Sequence, residues 1–244
     1  ETAVLVSAGR LGGSGAAGVL VRPVQFLPAE GALRVHTEIV IRVRYADPED
    51  AFRGAACPAP LAEAAASVFA NRSARSSSAR TASPRASLLE PDDVEYVVVT
   101  SSALAASFEP LVEWKTKKGV PAAVVTTEWI AATCAGTDAQ ERIRSFISDA
   151  SAQWGTAWVL LGGDTGIVPA RRAYAMTCEA GMHPDEDAIA CDLYFSDLDG
   201  TWNADGDATY GETGDAVDLY PDVFVGRASV TTAAEAQAFV AKIL

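Results

Sequence analysis

The sequence predicts an α/β fold in which a parallel sheet carries helices on both faces, preceded by a small antiparallel β segment and a linker. Two observations support this fold for residues 92–244. Four short apolar runs, at 95–100, 121–126, 157–161 and 222–226, are typical of strands buried on both faces. Helix-like stretches alternate with these runs, as in parallel strands joined by right-handed crossovers, which place helices on both sides of the sheet.

The helices are indicated by apolar spacing and by capping residues. Residues 108–118 have apolar side chains at helical spacing, and Gly119 suits the end of that helix. Asp138 is a typical N-cap residue in front of a second amphipathic stretch. Thr232 and Glu235 have the spacing of a capping box, so a further helix is predicted to begin there.

The first 45 residues predict a half-buried β-hairpin. Two strand-like stretches, 19–26 and 33–45, are joined by turn-forming residues at 28–31. Apolar and polar residues alternate in the second stretch, so one of its faces is predicted to be buried. The residues of that face are Val35, Ile39, Ile41, Val43 and Tyr45.

Residues 46–91 are predicted to be a flexible linker, because 71–85 is rich in Ser, Ala and Arg and has no apolar period. Within it, 59–70 is suited to one short helix. The linker also contains four arginines that would be accessible to a trypsin-like protease. They are Arg72, Arg75, Arg80 and Arg85. A simple soluble tether is the alternative interpretation.

Composition excludes two classes of partner. The 244 residues include 19 basic and 32 acidic side chains, which gives a formal net charge of −13. Nucleic-acid binding needs clustered Lys and Arg side chains at the phosphates, so we expect no nucleic-acid partner. No apolar run reaches the roughly 18 residues of a membrane span, so we expect none. Because the chain begins at Glu1 and ends within a helical pattern, we expect a longer parent protein.

Most of the net negative charge lies in one acidic loop that contains no Lys or Arg. Its twelve carboxylates are Asp185, Glu186, Asp187, Asp192, Asp197, Asp199, Asp205, Asp207, Glu212, Asp215, Asp218 and Asp222. Neighbouring carboxylates repel each other, so the loop favours a hard divalent cation, most naturally calcium. The expected ligands are Asp197, Asp199, Asp205, Asp207 and Glu212. The residue order does not match an EF-hand, and an exposed loop of Asx turns without an ion is the alternative.

Ligands of open parallel sheets bind at the carboxyl ends of the strands. We expect three features at that edge: residues 162–164, the acidic loop, and residues 226–227. The glycines at 162–163 belong to neither the GxGxxG nor the GxxxxGK[ST] pattern, so we expect no nucleotide site.

No set of residues has the pattern of a catalytic site. His36 lies on the polar face of a predicted strand and His183 lies in the acidic loop, and both are expected to be solvated. A pair of His183 with Cys191 would need an orienting group that is not evident, and no GxSxG motif occurs. The four cysteines form no CxxC pair, whereas Cys178 and Cys191 are placed to form a disulfide in an exported protein.

Four ordered blocks within residues 95–244 resemble the opening of the gingipain-type cysteine peptidase domain. They are Tyr96-Val-Val-Val-Thr with Leu111-Val-Glu-Trp-Lys-Thr-Lys-Lys-Gly119, Trp158-Val-Leu-Leu-Gly-Gly-Asp164 with Ile167-Val-Pro169, Asp192-Leu-Tyr-Phe-Ser-Asp-Leu-Asp-Gly-Thr-Trp202, and Asp218-Leu-Tyr-Pro-Asp-Val-Phe-Val-Gly-Arg227. Residues 19–45 resemble the tail of that family's propeptide, on Pro23-Val-Gln-Phe26 and Gly31-Ala-Leu-Arg-Val35.

The resemblance implies a fold similar to that of caspases, with an N-terminal α/β subdomain followed by a subdomain that holds a histidine and cysteine dyad. In that family the thiolate attacks the scissile carbonyl and the histidine protonates the leaving amine. The family's His-Gly motif does not occur before Leu244, and none of the four cysteines occupies its nucleophile position. The chain therefore resembles a propeptide tail (1–45), a linker (46–91) and a subdomain (92–244) truncated before the catalytic half, and we predict no catalytic residue in it.

The resemblance further implies calcium sites, protein or peptide substrates, and a zymogen exported to the extracellular space or cell surface of a bacterium. Cleavage of such a zymogen between propeptide and catalytic domain would give the linker arginines a role. The alternative is a non-catalytic, calcium-dependent binding or adhesion module on the same scaffold. A receiver-like or nucleotide-binding domain is not expected, because no phosphate cradle is present and all four lysines lie on predicted helices.

Overall fold

A computed structural model describes residues 2–11, 14–43, 57–70, 93–174, 188–215, 217 and 219–244. Its strands are β1 (Ala3–Leu11), β2 (Ser14–Val21), β3 (Val24–Leu27), β4 (Ala32–Val35), β5 (Tyr96–Thr100), β6 (Ala122–Thr126), β7 (Trp158–Gly162), β8 (Arg171–Ala173), β9 (Ile189–Cys191) and β10 (Phe224–Ala228). Its α-helices are α1 (Ala59–Val68), α2 (Ser102–Lys117), α3 (Thr127–Thr133), α4 (Ala139–Trp154) and α5 (Ala233–Ala241).

The centre of the fold is a four-stranded sheet in the order β10–β7–β5–β6. All three pairings are parallel, and the first residues of the strands are in register, Tyr96 with Ala122 and with Trp158, and Trp158 with Phe224. The predicted parallel sheet is confirmed. The largest shift is at β10, which begins two residues later than the apolar run at 222–226.

Helices cover both faces of this sheet, as predicted. Val97 and Val99 face a core that receives side chains from α3 and α4, and Val98 between them faces a second core. The first core includes Ile130, Ile143, Phe146 and Ile147. The second core includes Leu104, Phe108, Leu111 and Val240 from α2 and α5. Burial on both faces of the sheet therefore explains why the sequences of these strands are continuous apolar runs.

Most capping residues act as the sequence predicts. The Asp138 side chain accepts a hydrogen bond from the backbone of Glu141 at 2.8 Å, so it is the N-cap of α4. Thr232 and Glu235 form a complete capping box at the start of α5. Gly119 follows α2 with φ +87°, a left-handed conformation that favours glycine.

Two helical segments differ from the prediction. Helix α2 begins at Ser102 rather than at 108 and continues through Pro110. Apart from Leu104, the residues before 108 are small and have no strong apolar period, which is why periodicity does not predict this part of the helix. Helix α3 was not predicted, and it begins where the Thr126 side chain accepts a hydrogen bond from the backbone of Trp129 at 3.2 Å.

The N-terminal region contains two antiparallel pairs rather than one long hairpin. Strand β1 pairs with β2 and β3 pairs with β4, and the predicted strand 19–26 is interrupted at Arg22 and Pro23. Proline has no backbone N–H to donate to a neighbouring strand, which explains the break. The predicted strand 33–45 is also too long, because β4 ends at Val35.

The predicted half-burial of the β3–β4 hairpin is wrong. Val24 and Val35 form one cross-strand pair on a face, and Phe26 and Leu33 form the next pair on that face. All four side chains are more than half exposed, because within the described residues no second layer packs against this face. Ile41 and Val43 are exposed as well, Ile39 is partly buried, and Tyr45 lies outside the described residues.

The helix predicted at 59–70 is present as α1, and it buries Leu61 and Ala65. Residues 46–56 and 71–91 of the predicted linker, including its four arginines, lie outside the described residues. Within the described ranges, no helix is long and apolar enough to cross a membrane.

Candidate metal centre

The predicted calcium ligands lie in the acidic loop between β9 and β10, where the structure separates them into two groups. Carboxylate oxygens of Asp205, Asp207 and Glu212 lie within 4.8 Å of one another. Asp197 and Asp199 instead form a second group of the same size with Asp222. Asp222 is one of the twelve carboxylates of the acidic loop, but it also begins the strand predicted at 222–226. Sequence reasoning therefore does not include it among the expected ligands.

Asp197 is a buried structural anchor. Its Oδ1 accepts a hydrogen bond from the Gly200 N–H at 2.8 Å, and its Oδ2 accepts one from Trp202 Nε1 at 2.9 Å. The Arg144 guanidinium donates to the Asp197 carbonyl oxygen through Nη2 at 2.6 Å. Both carboxylate oxygens of Asp197 therefore already serve the fold of the loop.

Asp215 is a second anchor, which the sequence analysis did not single out. It is fully buried, and its Oδ1 accepts a hydrogen bond from the Ala204 N–H at 2.7 Å. Its Oδ2 accepts from the Gly211 N–H at 2.7 Å and from the Glu212 N–H at 3.2 Å. One carboxylate thus gathers three backbone donors from two separate parts of the loop. The only sequence signal was its position in a Gly-rich acidic stretch.

Asp205, Asp207 and Glu212 have a different environment. Asp205 Oδ1 accepts from the Asp207 N–H at 3.2 Å, and Asp207 Oδ1 accepts from the Thr209 N–H at 2.6 Å. Loss of water around Glu212, and then the negative charges of Asp207, Asp205 and Asp215, raise the pKa of the Glu212 carboxyl above its usual value. Three mutually repelling carboxylates within reach of one ion fit a hard divalent cation with oxygen ligands.

The second group fits a cation less well. Asp222 Oδ2 accepts from the Leu198 N–H at 2.8 Å, and Asp197 has both oxygens in hydrogen bonds to the loop. A cation at this group would compete with donors that the loop needs. Of the five predicted ligands, Asp205, Asp207 and Glu212 therefore form the candidate metal centre, while Asp197 and Asp199 lie in the second group.

The sequence predicts that the acidic loop lies at the carboxyl edge of the sheet, but part of the loop lies elsewhere. The Asp222 N–H donates to the Ser196 carbonyl oxygen at 2.7 Å, two residues before β10 begins. Phe224, the first residue of β10, is in register with Trp158, the first residue of β7. This part of the loop is therefore beside the amino end of the sheet, because in parallel strands the first residues share one edge.

The other two features expected at the carboxyl edge do meet there. Arg227 Nη1 donates to the carbonyl oxygens of Gly163 and Val168, both at 2.7 Å. The same guanidinium makes a bidentate pair with Asp192, with both N–O distances at 2.7 Å. Arg227 therefore joins the end of β10, the segment after β7 and the start of the acidic loop, and its donors serve structural contacts.

A second arginine connects the loop to α4. Arg171 makes a bidentate pair with Asp138 at 2.8 and 2.9 Å, and its guanidinium lies 4.6 Å from the Tyr194 ring centroid and 4.0 Å from that of Tyr210. Burial alone would raise the pKa of Asp138, but hydrogen bonds from Arg171 and from the Glu141 backbone outweigh it and lower that pKa. This stack was not predicted, because the contacting residues are distant in sequence.

Comparison with known proteins identifies the family. The sequence profile of Peptidase family C25 matches residues 89–244, well over half of the chain. The chain belongs to Peptidase family C25. This confirms the resemblance to gingipain-type cysteine peptidases, and no protein of curated function matches the chain by sequence.

Solved structures similar to this member of Peptidase family C25 share little sequence with it. One, titled "Structure of Protease", is 19% identical with a TM-score of 0.42, and covers 62% of this chain and 27% of its own. A complex of Porphyromonas gingivalis RgpB pro- and mature domains is 20% identical with a TM-score of 0.41, covering 61% and 28%. The Arg-specific cysteine proteinase gingipain R (RGPB) is 19% identical with a TM-score of 0.41, covering 65% and 29%. The chain thus spans less than a third of their length.

Among the described cysteines of this C25 member, Cys134 lacks the features of an activated nucleophile. Burial, and then the negative charge of Asp149, raise the pKa of the Cys134 thiol, which disfavours the thiolate. The Cys57 Sγ contacts the carbonyl oxygen of the adjacent Pro58 at 3.4 Å. Cys178 and His183 lie outside the described residues, and with them the expected disulfide and the His183–Cys191 pair.

Proposed function

We propose that this chain is the propeptide tail and the N-terminal α/β subdomain of a secreted cysteine endopeptidase of the gingipain type. The observation that carries the proposal is the family match over residues 89–244, which coincides with the parallel sheet and its two helical layers. Protein or peptide substrates follow from the family's chemistry. In this proposal the histidine and the nucleophilic cysteine are contributed by another part of the protein.

The role of this subdomain in such an enzyme is to present a rigid sheet. Arg227 fixes the carboxyl end of β10 to the segment after β7, and Arg171 fixes the start of α4 to the acidic loop. Both guanidinium groups use paired hydrogen bonds, which hold a geometry better than single contacts do. A thiolate held against this support would attack the carbonyl carbon, and an imidazole beside it would protonate the leaving amine.

A cleavage assay on the whole gene product that contains this chain tests the proposal. An unstructured protein substrate should be cut in the presence of a thiol reductant, and alkylation of cysteines should abolish cutting. A variant with Cys57, Cys134, Cys178 and Cys191 all replaced by Ala should keep the activity. Loss of activity in that variant would place the nucleophile in this chain. Absence of cleavage in every condition would favour the calcium-dependent binding module instead.

We also propose that calcium binds at Asp205, Asp207 and Glu212. The support is the separation of these carboxylates from the buried anchors and the raised pKa of Glu212, to which loss of water contributes first and the negative charges of Asp207, Asp205 and Asp215 contribute next. A bound cation would remove the repulsion between these charges. Binding in the millimolar range typical of extracellular modules would suit the proposed location outside a bacterial cell or on its surface.

Thermal unfolding of the full chain in calcium and in chelator tests the metal site. A ligand that binds only the folded state at 100 times its Kd adds about 2.7 kcal/mol of stability, so calcium should raise Tm. Asp207→Asn should remove most of this increase. Glu113→Gln is a matched control, since Glu113 is an exposed carboxylate on α2. An equal calcium response in wild type and Asp207→Asn would contradict the assignment of the site.

A further inference from the structure

The N-terminal ribbon, defined as β1 with β2, contacts the acidic loop through a tyrosine. Tyr220 Oη lies 2.7 Å from Ser7 Oγ, across 213 positions of sequence. Tyr220 stands at the end of the acidic loop, just before β10, whereas Ser7 lies in the middle of β1. This hydrogen bond therefore joins the most N-terminal part of the chain to the α/β domain.

The ribbon is shaped to receive this tyrosine. The pairing of β1 with β2 shifts between Leu5 and Ser7, and a bulge of this kind re-aims the side chains next to it. Ser7 is in register with Gly18, where an added Cβ would lie 2.3 Å from Ser7 Oγ and 3.5 Å from Tyr220 Oη. The glycine therefore leaves the space in which the two hydroxyl groups meet.

The loop side of the contact is also specialised. Leu219, the residue before Tyr220, has φ +61°, and it is the one non-glycine residue with positive φ in the part of the chain that the structure describes. Such a conformation is unfavourable for leucine and persists only where the surroundings impose it. The Leu219 side chain is exposed, so its own packing does not impose this conformation. This strained residue lies directly before the tyrosine that contacts Ser7.

Tyr220 is closely connected to the rest of the loop. Two residues later, the Asp222 N–H donates to the Ser196 carbonyl oxygen at 2.7 Å, and Asp222 Oδ2 accepts from the Leu198 N–H at 2.8 Å. Leu198 in turn packs against the core that contains α4. A displacement of Tyr220 would therefore be transmitted to the loop segment that begins at Ser196.

We propose that Tyr220 is the anchor through which the N-terminal ribbon is held on the acidic loop, so that docking of the ribbon and ordering of the loop are one coupled event. The partner of this loop surface is the chain's own segment 3–21. Release of the ribbon loosens the loop at residues 196–215 and 219–222. The proposal involves neither the dyad nor an ion, so it stands or falls independently of the proposed function.

Hydrogen–deuterium exchange on the full chain, in chelator, tests the coupling through a double-mutant cycle. Tyr220→Phe removes only the hydroxyl, Ser7→Ala removes its partner, and the third variant combines both changes. Each single variant should speed exchange roughly two- to ten-fold in the ribbon and also in the acidic loop, the range expected for one hydrogen bond. The double variant should be no faster than either single one, because both remove the same bond.

Tyr210→Phe is the matched control, because it removes a hydroxyl group from the same loop and keeps the ring that lies 4.0 Å from the Arg171 guanidinium, so its exchange should match wild type. Gly18→Ala should act like Ser7→Ala, because the new methyl group displaces the Ser7 hydroxyl. Faster exchange in the ribbon with an unchanged loop would overturn the proposal. So would a double variant whose effect is the product of the two single effects.

Discussion

The acidic loop contains two kinds of carboxylate that the sequence does not distinguish. Asp197 and Asp215 are fully buried, and each of their oxygens accepts a hydrogen bond from a donor of the loop. Asp205, Asp207 and Glu212 face one another near the surface. The same chemical group therefore satisfies buried donors of the loop at two positions and brings like charges together at three others.

The difference lies in what surrounds each charge. A buried carboxylate is tolerated when N–H donors replace the water that it loses, and the buried pair has such donors. In the exposed cluster, the water lost around Glu212 and then the like charges beside it raise the pKa of the Glu212 carboxyl. A count of acidic residues thus indicates a charged loop, whereas the positions of the N–H donors decide which carboxylates hold the loop together.

The largest expected effect is at Asp215. Asp215→Ala should lower the free energy of unfolding by about 3 kcal/mol, because three backbone N–H groups lose their acceptor while the loop around them stays packed. Urea denaturation of the full chain in chelator measures this change. Asp205→Ala should change stability by less than about 0.5 kcal/mol, as for an ordinary surface substitution. Equal losses of unfolding free energy in Asp215→Ala and Asp205→Ala would contradict the distinction between the buried anchors and the exposed cluster.

A smaller effect is expected at Asp197. Asp197→Asn keeps the shape of the side chain, but one amide N–H must then face either the Gly200 N–H or Trp202 Nε1, both of which are donors. The loss should be about 2 kcal/mol in urea denaturation, the cost of leaving one buried donor unsatisfied. Asp207→Asn is the matched substitution in the cluster. A stability of Asp197→Asn equal to wild type would show that the buried charge is dispensable.

The sheet was predictable because its strands are continuous apolar runs and its helices carry local signals. Asp138 and Thr232 cap the helices that they were predicted to cap, and Gly119 ends α2 in a left-handed conformation. These features depend on residues within one or two turns of each other. The predicted burial of the β3–β4 hairpin is wrong for a different reason. Alternation of apolar and polar residues shows which face of a strand could be buried, but burial needs a second layer that this pattern does not specify.

The candidate site was predictable only in part. The charge of the acidic loop predicted a cation site, and three of the five named carboxylates do converge. Sequence could not separate Asp197 from Asp207, because the separation depends on where Gly200 and Trp202 place their N–H groups after folding. The stack of Arg171 with Tyr194 and Tyr210 depends on contacts between distant segments in the same way.

The smallest expected effect is a pH-dependent difference in Tm between wild type and Glu212→Gln. The raised pKa of Glu212 means that the folded state binds this proton more tightly than the unfolded state does. Its contribution to stability is therefore present at acid pH and is lost as the pH rises through the raised pKa. Glu212→Gln removes that loss, so in chelator at pH 7 the variant should have a slightly higher Tm than wild type. The difference should close below the unfolded pKa of about 4.3.

Calcium should reverse the sign of this difference, which gives the experiment its control. With calcium at the cluster, wild type gains a ligand that Glu212→Gln cannot hold as tightly, so the variant should then melt at the lower temperature. Glu113→Gln, which alters an exposed carboxylate 3.4 Å from Lys117, should show neither the rise in chelator nor the reversal. A lower Tm for Glu212→Gln in chelator at pH 7 would mean that Glu212 holds the loop together, as Asp215 does, instead of straining it.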